Sequence, residues 1–263
     1  SAPTLEKIHN KYYLRFSFTE TVTLSDTPIA EQIICAVDLG INTDAVCSIM
    51  KADGTILARK FIDFASDKDR MIHAMNRTRR KQSKYGPKSA RGLWAYVKRL
   101  NEDRAKKISA AIVEFASQHS VDTIVMEHLD FKGCKKRGSK AQRLSMWNHG
   151  IIREKVEQKA HLLGIRIATI CAWKTSALAF DGSGSVTRDD NNHALAKFTT
   201  GKQYNCDLSA SYNIGARYFI RELLKSLPAT EESRVKAKVP DVGRRTSCTL
   251  STLRMLVKEL SAA

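Results

Sequence analysis

The chain has 263 residues, 43% of them apolar, enough for one large domain or two small ones with a sizeable core. That composition excludes a disordered tail and a miniprotein that depends on staples. Lysine and arginine outnumber aspartate and glutamate by 44 to 27, and the whole excess lies in two stretches. Residues 70–107 carry 13 basic and 2 acidic side chains, and residues 132–143 carry 6 basic ones and no acid. A charge-balanced body with two cationic inserts has the electrostatic footprint of a polyanion binder. Nucleic acid fits it better than a membrane surface, because neither insert carries the bulky apolar face of an interfacial helix. No run approaches eighteen apolar residues and the first residues lack a signal-peptide core, so a cytoplasmic protein with no membrane partner is expected. Cysteines 35, 47, 134, 171, 206 and 248 fall singly, with no CxxC pair, which suits reduced thiols.

In chain order, residues 11–20 alternate apolar and polar and predict a strand, followed by a linker containing Pro28. The run IICAVDL over 33–39 predicts a buried central strand. Segments 45–50 and 56–61 flank Asp53-Gly54, a hairpin signal. From residue 67 the pattern turns helical, breaks at Gly86-Pro87 and resumes over 93–119 with Ile108, Ala111, Ile112 and Phe115 at helical spacing. DTIVMEHL over 122–129 predicts a strand, 144–163 a helix ended by Gly164, and 165–172 another strand. Residues 174–205, rich in Gly, Ser, Thr, Asp and Asn, read as a loop or irregular hairpin, and 208–227 as an amphipathic helix stopped by Pro228. The order β-β-β-α-β-α-β-α predicts an α/β fold, a mixed sheet covered by helices.

Three acids interrupt this pattern. Asp38 sits near the end of the first buried strand, Glu127 does the same in IVMEHL, and Asp207 lies just ahead of the last long helix. A lone ionised carboxylate in a core is costly, so each needs a partner or a cation. If the two strands are neighbours, Asp38 and Glu127 enter one pocket, and hard oxygen donors without His or Cys suit Mg²⁺, with Mn²⁺ substituting. Each acid alone has a plainer reading: a turn cap for Asp38, a buried ion pair for Glu127 and a helix N-cap for Asp207.

AVDLGINTDAVCSIMKADGTILARKFI resembles the first motif of RuvC-type nuclease domains on a ribonuclease-H-like fold. DTIVMEHLDFKG is similar to the second motif and NCDLSASYNIGARY to the third, and TICAWKTSALAF keeps the Thr-Ser pair that leads into a zinc ribbon. Within that superfamily the likeness is to the insertion-sequence OrfB (TnpB-like) RNA-guided nucleases and the compact type V CRISPR effectors. It implies a mixed five-stranded sheet flanked by helices, a metal-dependent DNA endonuclease with a guide RNA, and a prokaryotic cell or its mobile elements as the setting. The catalytic and metal-binding carboxylates of the resemblance fall on Asp38, Glu127 and Asp207. Two departures stand out: Asn205 and Ser209 occupy positions where the third motif has Asp and Asn, and no cysteine lies between Cys171 and Cys206, so a four-sulfur zinc site is impossible and no zinc is expected. Asp189, Asp190 and His193 could hold another cation, but a solvated turn is the plainer reading.

The implied organisation is a terminal strand and linker of an upstream, wedge-like domain (1–31), RuvC part I (32–66), a basic helical connector (67–120), part II (121–173) and a degenerate ribbon insert (174–205). Part III (206–228) and a C-terminal tail and helix (229–263) complete it. Two-metal hydrolysis giving 5′-phosphate and 3′-hydroxyl ends is the implied chemistry. Arg77, Arg79, Arg80, Lys81 and Lys84 would contact phosphates, and Lys132, Lys135, Lys136, Arg137, Lys140 and Arg143 would guide a strand toward the metals. Trp94 and Trp147 could stack on bases, although their spacing suits core packing better. The alternatives are a nuclease-derived nucleic-acid-binding protein that no longer cuts, a resolvase, and an actin-like or sugar-kinase-type phosphotransferase suggested by DLGINTDAV.

Overall fold

The run IICAVD forms the central strand of a five-stranded sheet in a computed structural model of the chain, which describes residues 2–8, 10–129, 146–189, 192, 194–244 and 246–262. Ahead of that sheet, β1 (Thr4–Ile8) and β2 (Lys11–Arg15) pair in an antiparallel hairpin that turns at Asn10, φ 63°. The predicted strand over 11–20 is thus the second arm of a hairpin and ends at Arg15. Sequence reading misses the first arm because TLEKI is short and two of its five residues are charged.

The large sheet runs β5-β4-β3-β6-β7, from β3 (Ile33–Asp38), β4 (Ala45–Lys51), β5 (Ile56–Ile62), β6 (Thr123–His128) and β7 (Arg166–Cys171). β3, β4 and β5 meander antiparallel, while β3–β6 and β6–β7 are parallel, which is the expected mixed arrangement. The β4–β5 turn carries Gly54 at φ 79°, a conformation that favours glycine.

Strand alternation sorts the core onto two faces. Cys35, Val37, Cys47, Ile49, Ile124 and Met126 pack beneath α2 (Arg91–Gln118) and α3 (His149–Leu162). Ile34, Ala36, Val46, Met50 and Val125 pack beneath α4 (Cys206–Ser226) and α6 (Leu250–Ser261). α4 approaches closely at Gly215, where a Cβ would stand 3.2 Å from that of Ala36. α1 (Ala65–Tyr85) and α2 form a helical pair behind a 3₁₀ turn at Pro87–Ala90, and α5 (Ala229–Lys238) packs by α6.

The segment 174–205, expected to be a loop or irregular hairpin, contains a three-stranded sheet of β8 (Thr187–Arg188), β9 (Leu195–Lys197) and β10 (Gln203–Asn205). Its small core is built from Ala179, Ala196, Phe198 and Cys206, with Phe180 edge-on to Phe198 and to Tyr212 of α4. The alternation is legible only as turns because each strand has two or three residues. Among the described residues, no helix is long and apolar enough to cross a membrane.

Candidate active site

Asp38 is the last residue of β3 and Glu127 the penultimate residue of β6. The two strands are parallel neighbours with Val37 opposite Met126, so the next residues on, Asp38 and Glu127, lie side by side at the carboxyl ends. Open α/β sheets bind ligands at such ends. Asp38 shares parity with Ala36 and Glu127 with Val125, and both those residues belong to the core under α4. Both acids therefore face α4.

α4 supplies the third acid. Asn205 is the N-cap, its side chain accepting from Leu208 N at 2.9 Å, and Asp207 lies in the first turn rather than ahead of the helix. The cap role that Asp207 could have had is taken by Asn205. Its carboxylate instead meets Thr43 of the loop after β3 and enjoys the positive end of the helix.

The electrostatics tie the three together. Burial first, then the charges of Glu127 and Asp207, push the Asp38 carboxyl well above the usual carboxylate range. Burial also raises Glu127 and Asp207. Asp38 is 9% exposed, and no hydrogen bond reaches its side chain among the described residues. The three sit at electrostatic distance: among the described residues, no group of three His, Cys, Asp or Glu side chains is gathered closely enough to hold a metal ion. The donor set, oxygen throughout and short of counter-charge, fits a hard divalent cation.

Sequence reading misses two cations of this site, Arg188 and Arg217. Arg188 of β8 lowers Asp38 and Asp207 by its charge and donates from Nη2 to Ser176 Oγ at 3.1 Å. Nothing in the local sequence marks it, because the small sheet alone carries it there. Thr175, the other half of the Thr-Ser pair, donates from Oγ1 to Glu127 Oε1 and lowers that carboxyl. Arg217 of α4 is a second cation felt by Glu127.

A further acid, Asp44, is 1% exposed and structural. It pairs with Arg104 of α2 and with Lys68 of α1 and accepts from Phe64 N at 2.8 Å, binding the helical pair to the loop that follows Asp38.

Of the predicted phosphate contacts, Arg77, Arg79, Arg80, Lys81 and Lys84 are exposed along α1. Lys132, Lys135, Lys136, Arg137, Lys140 and Arg143 lie outside the described residues, as do Asp190 and His193. Asp189 accepts from Asn192 N at 2.9 Å, the turn geometry read as the plainer option. Trp94 and Trp147 pack against apolar cores, Trp94 beside Met71, Ala74 and Val97.

No protein-family profile and no curated protein sequence matches the chain. Solved structures do. A Cas12f1–sgRNA–target DNA complex superposes with a TM-score of 0.54 at 21% identity, over 80% of this chain and 54% of that one. A CRISPR-Cas12f ternary complex gives 0.50 at 17% identity, over 77% and 41%. An AacC2c1–sgRNA binary complex gives 0.51 at 10% identity, over 72% and 39%. At these identities the likeness is one of fold: this chain has the fold of a segment of type V effectors, and it spans about half the length of the first of them.

Proposed function

We propose that the chain is the nuclease part of a metal-dependent DNA endonuclease directed by a guide RNA. The observation that carries this reading is that Asp38 and Glu127 lie side by side at the strand ends, facing the helix whose first turn carries Asp207, with Asp38 raised by burial and by the charge of the other two. Fold likeness to one protein solved with an sgRNA and target DNA and to another solved with an sgRNA supports the partners. In this reading Asp38, Glu127 and Asp207 would hold divalent cations, Mg²⁺ or Mn²⁺, through their carboxylate oxygens. The chemistry such cations supply when bound is activation of water and neutralisation of charge at the scissile phosphate. No nucleophilic side chain is needed, and the ends left are 5′-phosphate and 3′-hydroxyl.

The chain's own groups do the positioning. Glu127 is held by Thr175, and Arg188 offsets the like charge of Asp38 and Asp207. The exposed row Arg77, Arg79, Arg80, Lys81 and Lys84 holds phosphates without reading bases. Lys132, Lys135, Lys136, Arg137, Lys140 and Arg143, immediately downstream of Glu127, are assigned the same task by charge and sequence position.

The test is incubation of the purified chain, with and without Mg²⁺, with end-labelled single-stranded DNA, alongside Asp38→Ala. Metal-dependent cleavage by the parent and none by the variant is expected. Metal-independent binding without cleavage by the parent would favour a nuclease-derived binding protein.

A further inference from the structure

The turn between β7 and the small sheet is bonded to α4 on both sides of a residue with left-handed backbone. Lys174 takes φ 62°, left-handed backbone that a residue with a Cβ rarely adopts. α4 keeps it there: Arg217 Nη1 donates to the carbonyls of Cys171 at 3.0 Å and Trp173 at 2.8 Å. Asn213 Nδ2 donates to the carbonyls of Thr175 at 3.0 Å and Leu178 at 2.9 Å. Arg217 and Asn213 are both buried. The clamped turn delivers two consecutive hydroxyls to the acidic cluster, Thr175 to Glu127 and Ser176 to Arg188.

We infer that Thr175 and Ser176 are positioning residues of the carboxylate site, Thr175 setting the Glu127 carboxyl to receive a divalent cation and Ser176 setting the Arg188 guanidinium beside Asp38 and Asp207. The inference rests on the nuclease reading above. Thr175 Oγ1 also stands 3.0 Å from the carbonyl of Ala172, a bond that would suffice for a turn. One hydroxyl proton serves one acceptor at a time, and an ionised carboxylate is the stronger acceptor. The contact to a residue 48 positions away is one that turn formation does not require. A bond that fixes a ligand's orientation typically changes metal affinity by about 10–100-fold when removed.

The experiment measures Mn²⁺ binding to the purified chain by electron paramagnetic resonance, without DNA, for the parent, Thr175→Val, Thr175→Ser and Ser176→Ala, each checked by thermal melt. Thr175→Val should weaken Mn²⁺ about tenfold or more while Thr175→Ser stays within about threefold of the parent. Ser176→Ala should leave Mn²⁺ binding within about twofold yet lower the cleavage rate at saturating DNA about tenfold. If Thr175→Val unfolds, Thr175→Cys, of similar volume and weak donor strength, carries the same comparison with Thr175→Ser. Parental affinity in the hydroxyl-free variant, or equal loss in Thr175→Ser, overturns the role of Thr175, and unchanged cleavage by Ser176→Ala overturns that of Ser176. A parent that binds no Mn²⁺ overturns the nuclease reading itself and this inference with it, a result distinct from either.

Discussion

At the scale of single residues, the site is a place where the fold tolerates charge it would otherwise reject. Asp38 is raised well above its ordinary value and Glu127 and Asp207 are raised from theirs, chiefly by burial. A raised acid binds more protons folded than unfolded, so in metal-free buffer its stabilising contribution is greatest below the unfolded carboxylate pKa. That contribution is lost as pH rises from there through the folded value. Asp38→Asn should therefore melt higher than the parent at pH 7, a difference that shrinks on acidification, and calorimetry across pH 4–8 checks it. The same substitution should abolish Mg²⁺-dependent cleavage while leaving DNA affinity intact or raised, since it removes a negative group from a phosphate site. Arg188 acts in the opposite sense by lowering Asp38 and Asp207. Arg188→Ala should move the acidic limb of the cleavage profile to higher pH, and an unmoved limb would remove Arg188 from the site.

At the scale of elements, two inserts are stabilised in different ways. The small sheet β8–β10 has an aromatic centre of Phe180, Phe198, Tyr204 and Tyr212, with Lys202 over the rings of Phe180 and Tyr204. Tyr212 belongs to α4, so the same rings fasten the insert to the helix that carries Asp207. Phe180→Ala should cost about 2–3 kcal/mol by denaturant unfolding and weaken the Arg188 effect with it. Elemental analysis after dialysis against chelator is expected to find no stoichiometric zinc. Under the proposed function the helical pair is a phosphate rail, and Arg77, Arg79, Arg80, Lys81 and Lys84 are exposed on α1. Neutralising Arg77, Arg79 and Arg80 together should weaken binding to all sequences alike and flatten the slope of log affinity against log salt by about one unit per lost contact. Because Arg77 and Arg80 share a helical face and Arg79 diverges, a loss of about two units is the expected value. An unchanged slope would make α1 a solvated face.

At the scale of the whole molecule, the exposed basic face of α1 and the carboxylate cluster are joined by a short path. The loop after Asp38 contains Gly40, where a Cβ would stand 2.5 Å from the carbonyl oxygen of Thr43, and ends at Asp44, the buried partner of Arg104 and Lys68. Thr43 touches Asp207. Asp44→Ala leaves Arg104, its side chain 11% exposed, without its counter-charge and should cost about 3 kcal/mol, read by urea unfolding. Gly40→Ala forces the loop backbone to shift and should lower cleavage more than it lowers DNA affinity, because α1 is untouched while the Thr43 contact to Asp207 moves.

Much of this was present in the linear chain. Asp38 and Glu127 stood out because a carboxylate inside a β-branched apolar run has no cheap explanation, and the parallel pairing of β3 with β6 follows from a strand-helix-strand order. The excess charge of residues 70–107 was legible for the same reason, since composition survives folding unchanged. Asp207 was only half legible: that Asn205 rather than Asp207 caps α4 depends on where the helix starts, and helix starts are decided by the cap geometry itself. Arg188, Ser176 and the clamp from Asn213 and Arg217 were not legible at all. Their roles exist only because strands of two or three residues, too short to show a period, fold the insert back over α4, and because hydrogen bonds spanning 12 to 48 positions leave no local trace in sequence.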